Sequence, residues 1–436
     1  MRELTKAVVS SSWALSLFGA RQMADAFSSD SSRDSSGGVA RSMDAVATEV
    51  TSRLSGRVRH LYDLGDNAQR GMVDITSAAL RFNVTDAIRP SIDVAQPFVE
   101  GLGLVTPRRD WLIDWQELRN KIDIFDLVQN VENRVDARPD TPIAELVDRA
   151  YGLGDFHALW AVEGLGHYFA QQSLNQTDSP QSLLADPVSL GLPGKSVTML
   201  SAGIGLAFAE RLLDGLSPQS PPEEFARVVQ RFVELCRANT TSGYTGAALE
   251  SLGLVTRTFQ TKLLLAVDRA ILSTGNKELL GYFWHGAGRG IYFSRENFLP
   301  LPCCGIRWDS VANEAPHETG RRNIIAGVAW AVTLVNMRTP QVMNKLLRRR
   351  SIVDREGFAN GVGSSIVMRS DTTPDAHFLR SYCQGIGSQT SPPALWSSLV
   401  QQPCADAIER YHPVLKQRNR LGEVFRFQSL SGLSRV

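Results

Sequence analysis

The chain has 436 residues, 43% of them hydrophobic and 21% charged, and its formal net charge is +1. This composition is typical of a soluble globular protein, and the near-zero charge gives no electrostatic reason to expect nucleic-acid binding. No stretch reaches the about 18 consecutive apolar residues that a transmembrane helix needs, so the sequence predicts no membrane span.

Residues 1–27 place two basic side chains, Arg2 and Lys6, ahead of an apolar run that is interrupted by serines. The pattern fits a secretory signal, and it also fits a short amphipathic helix that brings Trp13 and Leu17 to a membrane surface or a partner. Both alternatives stay open. The segment is therefore expected to be an amphipathic helix with a peripheral membrane contact, or a targeting segment.

Residues 28–42 are rich in Ser, Gly and Asp, which is the composition of a flexible linker. Residues 43–110 begin with apolar side chains at steps of three and four and continue into a Pro- and Gly-containing stretch. This pattern predicts an amphipathic helix followed by a connector. The apolar stripe has no partner within its own stretch, so it must be covered by another part of the chain, a second chain or a lipid surface.

A short phrase recurs from residue 160 onward: any residue, Gly, a small or aliphatic residue, and then Gly or Ala. Its first glycines recur at a step of about 40 residues, which is the mark of a repeat architecture: Gly164, Gly203, Gly246, Gly286, Gly327 and Gly361. Amphipathic segments alternate with the phrases, and one of them begins with Pro222 and two acids, as helices do. Because Gly costs about 1 kcal/mol relative to Ala inside a helix, each first glycine is expected at a close helix–helix contact.

The sequence therefore predicts an all-α protein, a helical-hairpin repeat array of about 40-residue units with a solenoid or toroid-like arrangement. The repeat domain is expected over residues 111–390, after an N-terminal helical extension and before a C-terminal helical tail over 391–436. Within the array, residues 295–318 are expected to form a long loop.

Ionisable and aromatic side chains interrupt the apolar phrases at two corresponding places. Such groups are candidates for a binding or catalytic cleft, but they also fit polar pairs that join helices. The candidate catalytic residues are Glu163, His167, His285, Arg289 and Tyr292. The candidate ligand-binding residues are Trp160, Gly164, Gly166, Trp284, Gly286 and Gly288.

The five cysteines fit no zinc or disulfide framework, and the chain contains no His-Glu-x-x-His phrase. The sequence therefore predicts no metal and no cofactor. A reduced, cytoplasmic compartment is the simplest inference.

Three segments are similar to an uncharacterised bacterial family found in enediyne polyketide biosynthetic gene clusters. They are residues 156–166 (FHALWAVEGLG), 282–293 (YFWHGAGRGIYF) and 315–319 (APHET). The resemblance implies an accessory role near polyketide or lipid-like products, and it assigns no catalytic residue.

The leading hypothesis is a non-catalytic binding or scaffold protein of bacterial, enediyne-like secondary metabolism that holds an apolar acyl or polyene cargo. A protein partner or a second copy of the chain is expected. One alternative is a biosynthetic enzyme with a Glu/His/Arg/Tyr cleft, so enzymatic activity is left open. The other is a membrane-surface or granule-surface protein, which rests on residues 1–82.

Overall fold

The computed structural model describes residues 109–138, 141–294, 306–349, 352–374, 376–385 and 395–435, together with Asn297. Every regular element in these ranges is a helix, so the all-α prediction is confirmed for this part of the chain. The predictions for residues 1–27 and 28–42, and nearly all of those for 43–110, lie outside the described residues.

The helices are numbered in chain order. They are α1 (Arg109–Gln129), α2 (Val131–Arg134), α3 (Ile143–Gly152), α4 (Asp155–Gln176), α5 (Val197–Leu213), α6 (Pro222–Asn239), α7 (Thr245–Phe259), α8 (Leu264–Ser273), α9 (Lys277–Phe293), α10 (Trp308–Glu314), α11 (Glu318–Val335), α12 (Pro340–Arg349), α13 (Arg355–Thr372), α14 (His377–Cys383), α15 (Gln402–Asp406), α16 (His412–Gln417) and α17 (Leu430–Arg435). Single turns of 3₁₀-helix lie at Thr261–Leu263 and Leu421–Phe425, and π-helical turns lie at Ser397–Gln401 and Ala407–Tyr411.

Local sequence signals set where several helices begin. α6 begins with Pro222 in its first turn, followed by two acids that favour the positive end of the helix. The side chains of Asn276 and Asp354 accept hydrogen bonds from backbone N–H groups of the first turns of α9 and α13. At α11 the same role falls to His317, whose Nδ1 accepts from the Gly320 N–H group.

The six first glycines all lie within helices, as the sequence predicts: α4, α5, α7, α9, α11 and α13. These helices contact one another in chain order, and α13 also contacts α4. At Gly203, Gly327 and Gly361, a Cβ atom would lie under 3.0 Å from a backbone carbonyl oxygen of the preceding Gly-bearing helix. Only a residue without a side chain allows backbones to approach this closely, so packing accounts for these glycines.

The remaining helices cover this central set. α6 packs on α5, α7 and α8, while α1 packs on α4 and α12. The predicted tail is helical in its described part and belongs to the core, because Leu421, Val424 and Phe425 are fully buried. The loop predicted over 295–318 is wrong in part: α10 forms within it, since Trp308 and Val311 have an apolar surface to pack against. None of the helices in the described ranges is both long enough and apolar enough to cross a membrane.

Candidate functional site

Three of the candidate catalytic residues meet in the interior, and a fourth ionisable residue, Glu250 of α7, joins them. Arg289 of α9 donates through Nη1 to Glu250 Oε2 and through Nη2 to Glu163 Oε1 of α4, the latter at 3.3 Å. His285, one turn before Arg289, places Nδ1 2.6 Å from Glu250 Oε1. Glu250 therefore bridges the imidazole and the guanidinium, and we call these four residues the central charge cluster.

The central charge cluster is sealed from solvent. The side chains of Glu250 and His285 are 0% exposed, and those of Arg289 and Glu163 are 2% and 3% exposed. The Arg289 guanidinium lies 4.2 Å from the ring centre of Trp330 on α11, which closes the cluster on one side. Among the described residues, Nε2 of His285 and Nε of Arg289 have no hydrogen-bond partner.

Burial dominates the electrostatics of the cluster. It raises the pKa of Glu163, the pull of Arg289 opposes this rise, and the nearby Glu250 adds to it. Burial also disfavours the charged form of Arg289, but Glu250 and Glu163 outweigh it, so the pKa of Arg289 is raised. Two carboxylates face one guanidinium, and the raised pKa of Glu163 favours a proton on that carboxylate, which reduces the excess of buried negative charge.

His167 does not join the cluster, although it lies one turn after Glu163 on α4. Its Nε2 atom is 2.7 Å from Glu210 Oε2 on α5 and 3.1 Å from the Gln171 amide nitrogen. His167 lines a mostly polar surface depression of about 280 Å³, to which Glu132 also belongs. Its imidazole is buried and is oriented by the partly exposed carboxylate of Glu210.

Tyr292 belongs to a separate buried network that attaches α1. Its hydroxyl group donates to Glu117 at 2.8 Å and accepts from the Asn336 amide at 2.7 Å. The Lys121 ammonium lies 3.9 Å from the Tyr292 ring centre and 2.6 Å from the Asn297 carbonyl oxygen. Burial lowers the pKa of Lys121 although Glu117 opposes it, and burial raises that of Tyr292.

The candidate ligand-binding glycines face backbone atoms of neighbouring helices. A Cβ on Gly164 would meet backbone atoms of α1, and one on Gly166 would meet those of α5. Gly286 lies against α7 and Gly288 against α11 in the same way. The geometry therefore accounts for these four positions by packing.

The two candidate tryptophans are also buried. The Trp284 indole donates to Asp268 Oδ1 at 2.7 Å, and His317 Nε2 lies 2.9 Å from the same oxygen. The Trp160 indole nitrogen has no partner among the described residues.

A second surface depression, of about 240 Å³, lies where α4, α5 and α6 meet. Its floor is apolar, and Arg211, Arg231 and Asp178 also line it. The apolar residues are Leu174, Phe208, Leu212 and Leu235. In the described ranges, no three His, Cys, Asp or Glu side chains are grouped so that they could hold a metal ion.

Comparison with protein-family models, with curated proteins and with solved structures gives no match. The likeness to a family of enediyne gene clusters therefore stays an expectation, and function has to be inferred from the side chains described above.

Proposed function

We propose that the protein is a non-catalytic binding or scaffold protein, and that it serves the bacterial, enediyne-like polyketide metabolism that the resemblance implies. One observation carries the non-catalytic part. Glu163, His285 and Arg289, which would form the cleft of an enzyme, bond to one another and to Glu250 in the interior. A general acid or base must come within hydrogen-bond distance of its substrate. Groups that are at most 3% exposed and already paired support a structural role instead.

The cargo belongs to the same proposal. The 240 Å³ depression, which we call the α4–α6 groove, combines four apolar side chains with Arg211, Arg231 and Asp178. The Asp178 carboxylate lies 3.6 Å from Arg211 and is 91% exposed, so a bound carboxylate can replace it at the arginines. A molecule with an apolar body and one carboxylate matches that lining, because guanidinium groups favour carboxylates. An acyl or polyene acid is therefore the cargo class that we propose, with its carboxylate at the arginines.

The finer architecture and the partners are also proposed. The contacts of the Gly-bearing helices in chain order, and of α13 with α4, support a solenoid or toroid-like array of helical hairpins. We further propose a protein partner or a second copy of the chain. We also propose that the protein is cytoplasmic and contacts the membrane surface through residues 1–27.

The test uses cis-parinaric acid, a conjugated polyene fatty acid whose fluorescence rises on binding in an apolar site. The full-length protein should bind it saturably, and Arg231→Glu should weaken binding by about tenfold or more through charge repulsion. Arg227→Glu is the matched control, since Arg227 is exposed on the same helix outside the groove. Glu163→Gln should leave the affinity unchanged, because the central charge cluster is not the binding site.

Two outcomes would overturn the proposal. If the wild-type protein shows no saturable binding, or binds equally well with Arg231→Glu, the groove does not hold the cargo. If Glu163→Gln abolishes binding while the fold is retained, the ligand reaches the interior and the enzyme hypothesis gains its support.

A further inference from the structure

Arg369, in the last turn of α13, is a fully buried cation that forms no ion pair with any residue the structure describes. Its Nη1 atom donates to the backbone carbonyl oxygens of Asp155 and Phe156, at 3.0 and 3.3 Å. Its Nε and Nη2 atoms are buried and have no hydrogen-bond partner among the described residues. The side chain is 0% exposed, so water at the protein surface does not solvate it.

Other buried charges of the described chain are matched. Arg289 has two carboxylates, Lys121 has Glu117, and Asp371 has Lys416 at 2.7 Å. Removing a guanidinium from water without a partner is among the most costly arrangements in a folded protein. Arg369 differs from these groups because no carboxylate of the described residues pairs with it. An anion that bound beside it would supply the missing partner.

A second arginine lies beside it. The Arg338 guanidinium carbon is 3.8 Å from the ring centre of Phe156, and that of Arg369 is 5.3 Å from the same centre. Arg338 is exposed and makes no ion pair within the described residues, so one member of the pair can be reached from solvent. Both guanidinium groups thus lie near the Phe156 ring: that of Arg369 is buried and that of Arg338 is accessible to solvent.

The amino end of α4 adds positive potential at the same place. Phe156 lies in the first turn of this helix, and no side chain caps it at Gly154. Unpaired N–H groups and the helix dipole make such an end favourable for an anion. The carboxyl end of α13 offsets part of the charge of Arg369. The acids that act on the two arginines are Asp155 and Asp123, and neither forms an ion pair with them.

Burial, together with neighbouring arginines, lowers the pKa of each cation in this region. Burial, with a further contribution from Arg338, lowers the pKa of Arg369 to about 9. Partial burial against neighbouring side chains also lowers the pKa of Arg338, and burial together with Arg338 lowers that of His157. All three cationic forms are thus disfavoured in the same region.

We propose that the protein binds an oxyanion, a phosphate or carboxylate group, between Arg369, Arg338 and the amino end of α4. The planar guanidinium presents paired N–H groups that match two oxygens of such an anion. Bound there, the anion gives Nε and Nη2 of Arg369 acceptors and neutralises the charge that the two arginines share. The site lies on α4, α11–α12 and α13 and does not depend on the α4–α6 groove.

The experiment measures thermal unfolding of the full-length protein in sodium phosphate, sodium acetate and sodium chloride at matched ionic strength. Phosphate, acetate or both should raise the melting temperature above that in chloride. Arg338→Met and Arg369→Met should lose most of this increment, whereas Arg227→Met, at an exposed position of α6, should keep it. In calorimetric titrations with inorganic phosphate or acetate, either site variant should weaken affinity by about ten- to hundredfold.

A rise with phosphate alone or with acetate alone supports the site and identifies which group it prefers. Equal melting temperatures in phosphate, acetate and chloride, or an unchanged increment in Arg338→Met, would overturn the proposal. Arg338→Met decides the question even if Arg369→Met does not fold, because Arg338 is at the surface.

Discussion

Replacing Glu250 with Gln tests whether the central charge cluster holds the helices together. Glu250 is 0% exposed and is bonded to both His285 and Arg289. The amide has almost the same shape as the carboxylate but carries no charge. In Glu250→Gln the Arg289 guanidinium keeps only Glu163, 3.3 Å away, as a buried counter-ion.

The expected loss is large because the remaining charge stays buried. Breaking a buried ion pair by removing one partner costs about 3–5 kcal/mol, and here Arg289 loses its closer carboxylate and keeps only the longer contact with Glu163. The bond to His285 is weakened as well, because the amide is a poorer acceptor than a carboxylate. We therefore expect Glu250→Gln to lower the free energy of unfolding by about 3–5 kcal/mol.

The assay is urea unfolding followed by far-ultraviolet circular dichroism. Glu318→Gln is the control, because its carboxylate pairs with Arg322 on the surface and is 71% exposed, so its removal should change little. The triple variant Glu163→Gln, Glu250→Gln, Arg289→Met removes every formal charge of the cluster except any on His285, and should be more stable than Glu250→Gln alone. A loss below about 1 kcal/mol for Glu250→Gln would refute the reasoning and indicate that water or a ligand reaches the cluster.

Three further predictions follow from the described helices and from the sequence. Gly164→Leu and Gly286→Leu should each cost about 2–4 kcal/mol through overpacking, whereas Gly215→Leu, where a Cβ meets no atom within 4 Å, should be tolerated; equal melting temperatures for all three would contradict the packing argument. Burial raises the pKa of Glu163 above its ordinary 4.5, so the folded carboxyl group binds its proton more tightly than the unfolded one. Stability relative to Glu163→Gln should then be fully present below the ordinary pKa of 4.5 and be lost as the pH rises above it, through the raised pKa of the folded carboxyl group; a constant difference in melting temperature would be inconsistent with this shift. Deleting residues 1–82 should leave the helical part folded but abolish an association, checked by co-sedimentation with lipid vesicles and a size measurement; unfolding of the shortened chain would show that this segment belongs to the core.

The sequence predicts the helical class and the positions of the close contacts because both are local properties. A glycine within an apolar helical segment indicates that another helix backbone lies close to that position, as it does at Gly203 and Gly327. Glu250 could also have been found from the sequence, although the search for the recurring glycine phrase did not consider it. It is the only charged residue from Thr245 to Thr256, and a lone charge in an apolar helix needs a partner.

The partners themselves could not be predicted, because they depend on distances across the fold. Glu163 and His167 have the four-residue spacing of neighbours on a helix, yet one bonds to α9 and the other to α5. Tyr292 bonds to Glu117, which is 175 residues earlier in the chain. The periodicity of the sequence contains no information about such a pairing. The sequence analysis therefore placed all five residues in one cleft, whereas they belong to three separate networks: the central charge cluster, the His167–Glu210 pair and the Tyr292–Glu117 pair.

The central charge cluster also sets an order of events for a chain that emerges from the ribosome. Each Gly-bearing helix contacts the next one in sequence, so these contacts can form while synthesis continues. The bond between Arg289 and Glu163 spans 126 residues, so α4 carries a carboxylate without its guanidinium until α9 has been made. The contact of Arg369 with Asp155 spans 214 residues and comes later still. A nascent chain that stops before α9 can therefore form the contacts among α4, α5 and α7, but it lacks Arg289, the cation that pairs with the buried carboxylates of Glu163 and Glu250.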